Sequence, residues 1–229
     1  MGGVVLDTNT IVRAILSPAG ARRKLWLLLV YGGAVERARL VRHEHQAARA
    51  AGASNTGTLE TAVGTADAAA AHIAGLLPPG APSDRWAIAS PPLLAEYHRK
   101  LHDLRDKLAK PPWTAAQIDV AYRALVAGCG DITPDFEVDK VPHYTDGRDR
   151  DDDAIIHTAL MGGAELLISN DTKDISLDRD GETEYGDGEG RTVRAMTFEH
   201  FATTTLHVDL DTIDGSRLAE AYATHRGSA

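Results

Sequence analysis

The chain has 229 residues, of which 43% are hydrophobic and 25% are charged, a balance typical of a folded globular protein rather than a disordered one. This length fits one domain, or one domain with a sizeable insertion, and leaves little room for two independent domains. The formal net charge of −9 argues against a protein that coats nucleic acid through bulk electrostatics, because phosphate binding rests on Lys and Arg.

Cysteine content and hydropathy favour a protein of the reducing cytosol. Cys129 is the single cysteine, so an intramolecular disulfide is excluded. No basic and apolar leader precedes Val4, which favours a cytoplasmic location over export. The longest nearly uncharged apolar run, residues 25–35, is shorter than the ~20 residues that a membrane helix requires. We therefore expect no membrane partner.

The chain opens on a pattern that predicts a strand, a turn and a helix. Residues 4–6 form a short apolar run that ends at Asp7, and apolar residues then recur at helical spacing over residues 11–16. Asn9 is the predicted N-cap of this helix, because Asn side chains accept hydrogen bonds from the free amides at helix starts. Asp7 therefore falls where the first strand ends.

The next part of the chain predicts further helices. One is expected over residues 21–31, ended by the glycine pair at 32–33. An Ala-rich segment then predicts helices over residues 36–51 and 58–77. We interpret residues 34–84 as an inserted helical hairpin.

The middle of the chain predicts a second strand over residues 86–89 and two helices after it. Ser90 and the two prolines that follow it favour the start of a helix. This helix is expected to continue to about residue 109, with Glu96 in its first turns. Another helix is expected over residues 114–127.

A block of acidic residues precedes a later helix and strand. Three consecutive aspartates, residues 151–153, open a helix that extends to Leu160, and acidic side chains suit a helix N-terminus. The apolar run at residues 166–169 is typical of a buried strand, and Asp171 follows it. Residues 178–190 then predict a polar hairpin.

Strands that alternate with helices predict an α/β fold, with a mostly parallel, Rossmann-like sheet flanked by helices. Ligand sites in such folds gather beyond the carboxyl ends of the strands. Asp7 and Asp171 each follow a predicted strand. The two aspartates are therefore expected at one edge of the sheet.

Four acidic positions are candidates for a single site: Asp7, Glu96, Asp152 or Asp153, and Asp171. Carboxylates that converge repel one another and raise each other's pKa unless a cation neutralises them, so their convergence predicts a metal. Oxygen ligands without His or Cys favour Mg²⁺ or Mn²⁺ over Zn²⁺. Such ions activate water and stabilise charge on phosphoryl oxygens, which makes phosphodiester hydrolysis the expected reaction.

Four segments, in the right order, resemble the acidic motifs of the PIN-domain family. They are residues 4–12, 90–97, 151–160 and 167–174, and residues 197–201 are similar to the family's closing strand and helix. The resemblance covers roughly residues 3–31 and 85–203. It implies a PIN domain over residues 1–205, with the helical insertion at about 34–84, followed by a C-terminal extension over 206–229.

The resemblance also implies a role for individual residues. By carry-over, the metal ligands and catalytic residues are Asp7, Glu96, Asp152 and Asp171. The supporting residues are Thr8, Asn9 and Ser169, with Asp174 as a further carboxylate near the site. The match of the helix at residues 155–159 selects Asp152, while Asp153, one residue away, stays an alternative.

As a function, the resemblance implies a metal-dependent endoribonuclease that cuts single-stranded or structured RNA with Mg²⁺ or Mn²⁺. Likeness to VapC-like toxins further implies a toxin–antitoxin pair, with a small protein antitoxin and a homodimer. The insertion and the C-terminal extension depart from the compact toxins of the family, and this departure leaves the target and the partner open.

Two other functions are compatible with parts of the pattern. Asp7 after a first strand also opens haloacid dehalogenase-like phosphatases, which form an aspartyl phosphate. Those enzymes expect a second Asp two residues later, where this chain has Asn9. The second alternative is a protein that keeps the fold without activity and binds a partner, for instance through its helical hairpin.

Overall fold

The computed structural model describes residues 2–17, 20–53, 56–111, 113–145, 150–171, 175, 177, 181–206 and 208–217. Within these ranges the chain forms one six-stranded sheet with helices packed around it. No helix in the described ranges is both long and apolar enough to cross a membrane. Asp174 and part of the predicted hairpin over residues 178–190 lie outside the described residues.

The sheet has the strand order β3-β2-β1-β4-β6-β5. Its strands are β1 (Gly2–Leu6), β2 (Arg85–Ala89), β3 (Asp131–Ile132), β4 (Ala164–Ile168), β5 (Glu182–Gly186) and β6 (Thr192–Met196). All neighbouring strands are parallel except β5, which pairs antiparallel with β6. The prediction of an α/β fold with a mostly parallel sheet flanked by helices is confirmed, and the strand order is compatible with a Rossmann-like fold.

The helices are α1 (Thr8–Leu16), α2 (Ala21–Ala50), α3 (Gly57–Ala74), α4 (Pro91–Asp106), α5 (Ala115–Gly128), α6 (Arg150–Met161) and α7 (Phe198–Thr204). Short 3₁₀ helices occupy Val138–Lys140, Leu210–Thr212 and Gly215–Arg217. Helices α2 and α3 pack against each other, so the expected helical hairpin is present. Helix α1 begins at Thr8 with Asp7 as its N-cap residue, so the prediction of Asn9 as the N-cap is wrong.

The prediction that a helix ends at the glycine pair 32–33 is also wrong, because α2 continues through Gly32 and Gly33. A Cβ atom on Gly32 would lie 1.7 Å from the backbone oxygen of Arg85, and one on Gly33 would lie 3.0 Å from the Cα atom of Gly130. The absent side chains therefore let α2 approach β2 and the end of α5 closely. The glycine pair reflects packing rather than a helix end.

The core lies around β1, where Val4 and Val5 are fully buried. A second, smaller apolar cluster joins Val12 of α1, Leu101 of α4 and Ile118 of α5. Leu206 and Ile213 belong to the main core, so the described start of the expected C-terminal extension packs on the domain. Residues 218–229 lie outside the described residues.

Replacing Gly32 with Ala is expected to lower the free energy of unfolding by about 1–3 kcal/mol, as is typical of overpacking. The new methyl group would meet a backbone atom of Arg85, which cannot rotate away. Gly64→Ala is the matched control, since a Cβ there has nothing within 4 Å in helix α3 and should stabilise by up to about 1 kcal/mol. Urea unfolding followed by circular dichroism measures both, and equal stabilisation would contradict the close approach.

Candidate functional site

The carboxyl ends of β1 and β4 bring Asp7 and Ser169 together. Leu6 and Ile168 are paired in register, and the Asp7 N–H donates to the Ile168 carbonyl at 2.9 Å. The Ser169 hydroxyl donates to Asp7 Oδ2 at 2.9 Å and accepts from the Asp171 N–H at 2.9 Å. Ser169 is fully buried. It therefore links two of the predicted site residues at the point where the strand order reverses around β1.

Helix α4 brings Glu96 to the same place. Ser90 caps the helix by accepting from the Leu93 N–H at 3.3 Å, and prolines fill its first positions. One turn further, the buried Tyr97 hydroxyl donates to the Leu6 carbonyl at the end of β1. Since Glu96 precedes Tyr97 in the helix, this bond fixes the glutamate near Asp7.

A chain of buried hydroxyl groups holds α6 against α4. The Thr158 hydroxyl donates to the Ala154 carbonyl at 2.8 Å, and its oxygen lies 2.7 Å from the Ser90 hydroxyl oxygen. The Ser90 hydroxyl is therefore the donor in this second bond. As a result, the acidic start of α6 has a fixed position relative to Glu96.

Burial is the main cause that raises the pKa of Asp7 above its ordinary value. The side chain is only 3% exposed, and the negative charge of Asp171 raises the pKa further. The Ser169 hydroxyl and the backbone N–H groups of Thr8 and Asn9 oppose the rise. Ionising Asp7 therefore costs more free energy in the folded protein than it would in water.

The pKa of Glu96 is raised to about 7, first by burial and then by the charges of Asp151 and Asp7. The Thr8 hydroxyl and Lys100 oppose this rise. The Thr8 hydroxyl faces the carboxyl group, yet among the described residues it makes no hydrogen bond of normal geometry. The site thus combines several carboxyl groups with a hydroxyl group that, among the described residues, has no hydrogen bond of normal geometry.

The three consecutive aspartates of α6 separate into different surroundings. Asp153 is 1% exposed and accepts from the Tyr144 N–H at 2.8 Å, from the Thr145 N–H at 3.2 Å and from His143 Nδ1 at 3.0 Å. Its carboxylate therefore holds the loop that precedes α6. Asp151 pairs with Arg99 at 3.2 Å, and Asp152 is half-buried in the first helical turn.

Both carboxylate oxygens of Asp153 accept hydrogen bonds within the protein, and the choice between Asp152 and Asp153 as a ligand stays open. Asp151 is a site neighbour that the sequence did not single out, although it lies in the acidic run. Asn9 is exposed in the first turn of α1. Within the described ranges, no three acidic residues place one oxygen each within 4.8 Å of one another.

Comparisons of the chain with protein-family models, with curated proteins and with solved structures each found no match. The chemistry of the site residues therefore carries the functional interpretation. Asp7 and Asp171 are linked through the Ser169 hydroxyl, and the charge of Asp7 acts on Glu96, at the switch point of a parallel sheet.

Glu96→Gln is expected to stabilise the metal-free protein by about 1–3 kcal/mol at pH 8, allowing for the partial exposure of the side chain. At a pH between the unfolded pKa of Glu96, near 4.5, and its folded pKa of about 7, the folded protein binds more protons than the unfolded chain does. Stability conferred by this additional protonation is fully present below pH 4.5 and is lost as the pH rises through 7. The side-chain amide of the Glu96→Gln variant is neutral at every pH, so the variant does not lose this stability as the pH rises.

Urea unfolding in EDTA at pH 5 and pH 8 measures this effect. The gain of Glu96→Gln should be larger at pH 8 than at pH 5. Glu44→Gln is the control, because Glu44 is exposed on α2 and should show no such difference. A gain independent of pH would contradict the raised pKa of Glu96.

Asp153→Asn is expected to lower the free energy of unfolding by about 1–3 kcal/mol, because charged hydrogen bonds to the loop before α6 are weakened. Burial alone would raise the pKa of Asp153, but the bonds from Tyr144, Thr145 and His143 hold it below its ordinary value. The stabilisation should therefore be present above an ordinary Asp pKa and be lost as the pH falls through the folded value. Denaturation of Asp153→Asn and wild type at pH 3 and pH 7 checks this, and an unchanged midpoint at pH 7 would contradict it.

Proposed function

We propose that the protein is a metal-dependent endoribonuclease of the PIN type, with Asp7, Glu96, Asp152 and Asp171 as ligands of Mg²⁺ or Mn²⁺. The observation that carries the proposal is the buried Asp7 carboxylate, linked through Ser169 to Asp171 and electrostatically coupled to Glu96. Four ordered sequence motifs place these acids in the pattern of that family. The α/β fold with Asp7 at the switch point supports this interpretation.

The residues present fit a hard divalent cation. All four proposed ligands offer carboxylate oxygens, which Mg²⁺ and Mn²⁺ prefer. The largest causes that act on the pKa of Asp7 include no basic side chain, and Lys100 lowers the pKa of Glu96. A bound cation would offset both the burial and the charge repulsion that raise the pKa values of Asp7 and Glu96.

Each neighbouring residue has a role that follows from its contacts. Ser169 orients the Asp7 carboxylate, and Tyr97 holds α4 against the end of β1. The buried Thr8 hydroxyl would orient the Glu96 carboxylate, and the exposed Asn9 amide is available to orient a phosphodiester at the mouth of the site. When bound, the metal would supply the polarisation of water and phosphoryl oxygen that hydrolysis needs.

Basic residues near the acids are suited to contact the backbone of a nucleic acid. Lys100 lies close enough to Glu96 to influence its pKa. Arg22 lies 4.9 Å from the ring centroid of Phe198 and pairs with Glu199 at 3.5 Å. Asn170, between Ser169 and Asp171, also donates to Glu199 at 3.5 Å. These local cations would bind phosphate despite the net charge of −9.

We further propose, from the sequence resemblance, that the nuclease acts as the toxin of a toxin–antitoxin pair, with a protein antitoxin that covers the acidic site and with a homodimer as the working unit. The phosphatase alternative lacks its second aspartate, since position 9 is Asn. The remaining alternative, binding without catalysis, is separated from the nuclease by a cleavage assay.

That assay measures cleavage of labelled single-stranded RNA, with the matched DNA alongside, in Mn²⁺, Mg²⁺ or EDTA. Wild type should cut RNA in either metal and not in EDTA. Asp7→Asn and Asp152→Asn should each lower the rate at least about 100-fold, since even outer partners of a metal site are worth about 10–100-fold.

Asp67→Asn is the control for loss of one acidic charge, because Asp67 pairs with Arg42 in the α2–α3 hairpin and should cut as wild type does. Folding of every variant is checked by circular dichroism. A folded wild type that leaves RNA and DNA intact with every metal would refute the nuclease and favour the binding protein.

A further inference from the structure

A second group of metal-ligating side chains lies between α4 and α5, apart from the acidic site. His98 and His102 are one helical turn apart on α4, and Asp119 faces them from α5. Asp119 Oδ1 lies 3.1 Å from His98 Nε2 and 3.0 Å from His102 Nε2. In the described part of the chain, these are the three His, Cys, Asp or Glu residues whose ligand atoms lie within 4.8 Å of one another.

The two distances from Asp119 to the histidines are close to those of a tetrahedral site. With Zn–N and Zn–O bonds of about 2.0–2.1 Å, neighbouring ligand atoms around zinc are about 3.3 Å apart. The two observed Nε2 to Oδ1 separations are within a few tenths of an ångström of that value. Only a small outward movement of the side chains would therefore admit a cation between them.

The side chains are held in place by neighbouring structure. The His98 ring packs on Tyr122, with ring centroids 4.7 Å apart. Helix α5 starts with a capping box formed by Thr114 and Gln117, which fixes the first turn just before Asp119. The three side chains remain 24–42% exposed, so an ion can reach them from solvent.

We propose that His98, His102 and Asp119 bind a divalent transition-metal cation, with Zn²⁺ as the best fit, and that the bound ion joins α4 to α5. Two imidazole nitrogens favour zinc and its neighbours over Mg²⁺ or Mn²⁺. Three protein ligands leave a fourth position for water. The proposal does not depend on the nuclease function.

The zinc site and the acidic site lie on different faces of α4. At about 100° per residue, His98 is turned by about 200° from Glu96, and His102 is turned further in the same sense. Glu96 faces the end of β1, where Tyr97 anchors the helix, whereas the histidines face α5. The two sites can therefore be tested separately.

The test titrates Zn²⁺ into the metal-free full-length protein, in competition with a chromophoric chelator and in excess Mg²⁺ to occupy hard oxygen sites. Wild type should bind one equivalent of Zn²⁺. His102→Gln, whose amide can still donate to Asp119, and Asp119→Asn should each weaken this binding at least about 100-fold, because even outer partners are worth about 10–100-fold. Co²⁺ in place of Zn²⁺ should give the visible absorption of a tetrahedral site.

His200→Ala is the matched control, because His200 pairs with a single carboxylate, Glu182, at 2.7 Å and should keep the zinc affinity of wild type. Asp7→Asn should keep it as well. The proposal would be overturned if wild type did not bind zinc, or if His102→Gln and Asp119→Asn bound it as tightly as wild type. Loss of zinc binding in Asp7→Asn instead would also overturn it. Circular dichroism confirms that each variant is folded.

Discussion

The burial of a carboxylate at the end of the central strand is the constraint on which the site depends. Asp7 is almost inaccessible to water, and its nearest partners are a hydroxyl group and backbone amides rather than a basic side chain. Burying a charge in this way is unfavourable unless something compensates it. Ser169 compensates in part and ties Asp171 to the same place. The remaining imbalance is the physical basis of the proposed cation at this edge of the sheet.

Helix α4 connects the acidic residues at the sheet edge with the histidine pair. Its cap residue Ser90 contacts α6, its Tyr97 contacts β1, and its outer face meets α5 through the histidine pair. A displacement of α4 would therefore move Glu96 and both histidines together. Packing of Leu101 with Ile118 and Val12 resists such a displacement, because close-packed side chains transmit strain instead of absorbing it.

Much of the fold could be predicted from local pattern, whereas the details of the site could not. The strands β1 and β4 and the start of α4 follow apolar runs, prolines and a capping serine that act locally. The continuity of α2 depends on the close packing of Gly32 against Arg85. A local sequence pattern carries no information about such a long-range contact. The different surroundings of Asp152 and Asp153 depend on the loop at residues 143–145. The four-residue spacing of His98 and His102 is visible in the sequence. The third member of their group, Asp119, comes from another helix, so the sequence alone could not place it beside them.

The length of α2 has a consequence for how the molecule opens. Thirty residues at 1.5 Å each make a rod of about 45 Å, whereas a five-residue strand spans about 17 Å. Every buried residue of α2 lies at or before Ala38, whereas the last turns of α3 reach the main core through Ile73. The outer part of α2 and the first turns of α3 are therefore supported mainly by each other. Segments supported in this way have their own, lower threshold for local unfolding. We therefore expect this outer part to unfold locally under conditions in which the sheet and the acidic edge stay folded.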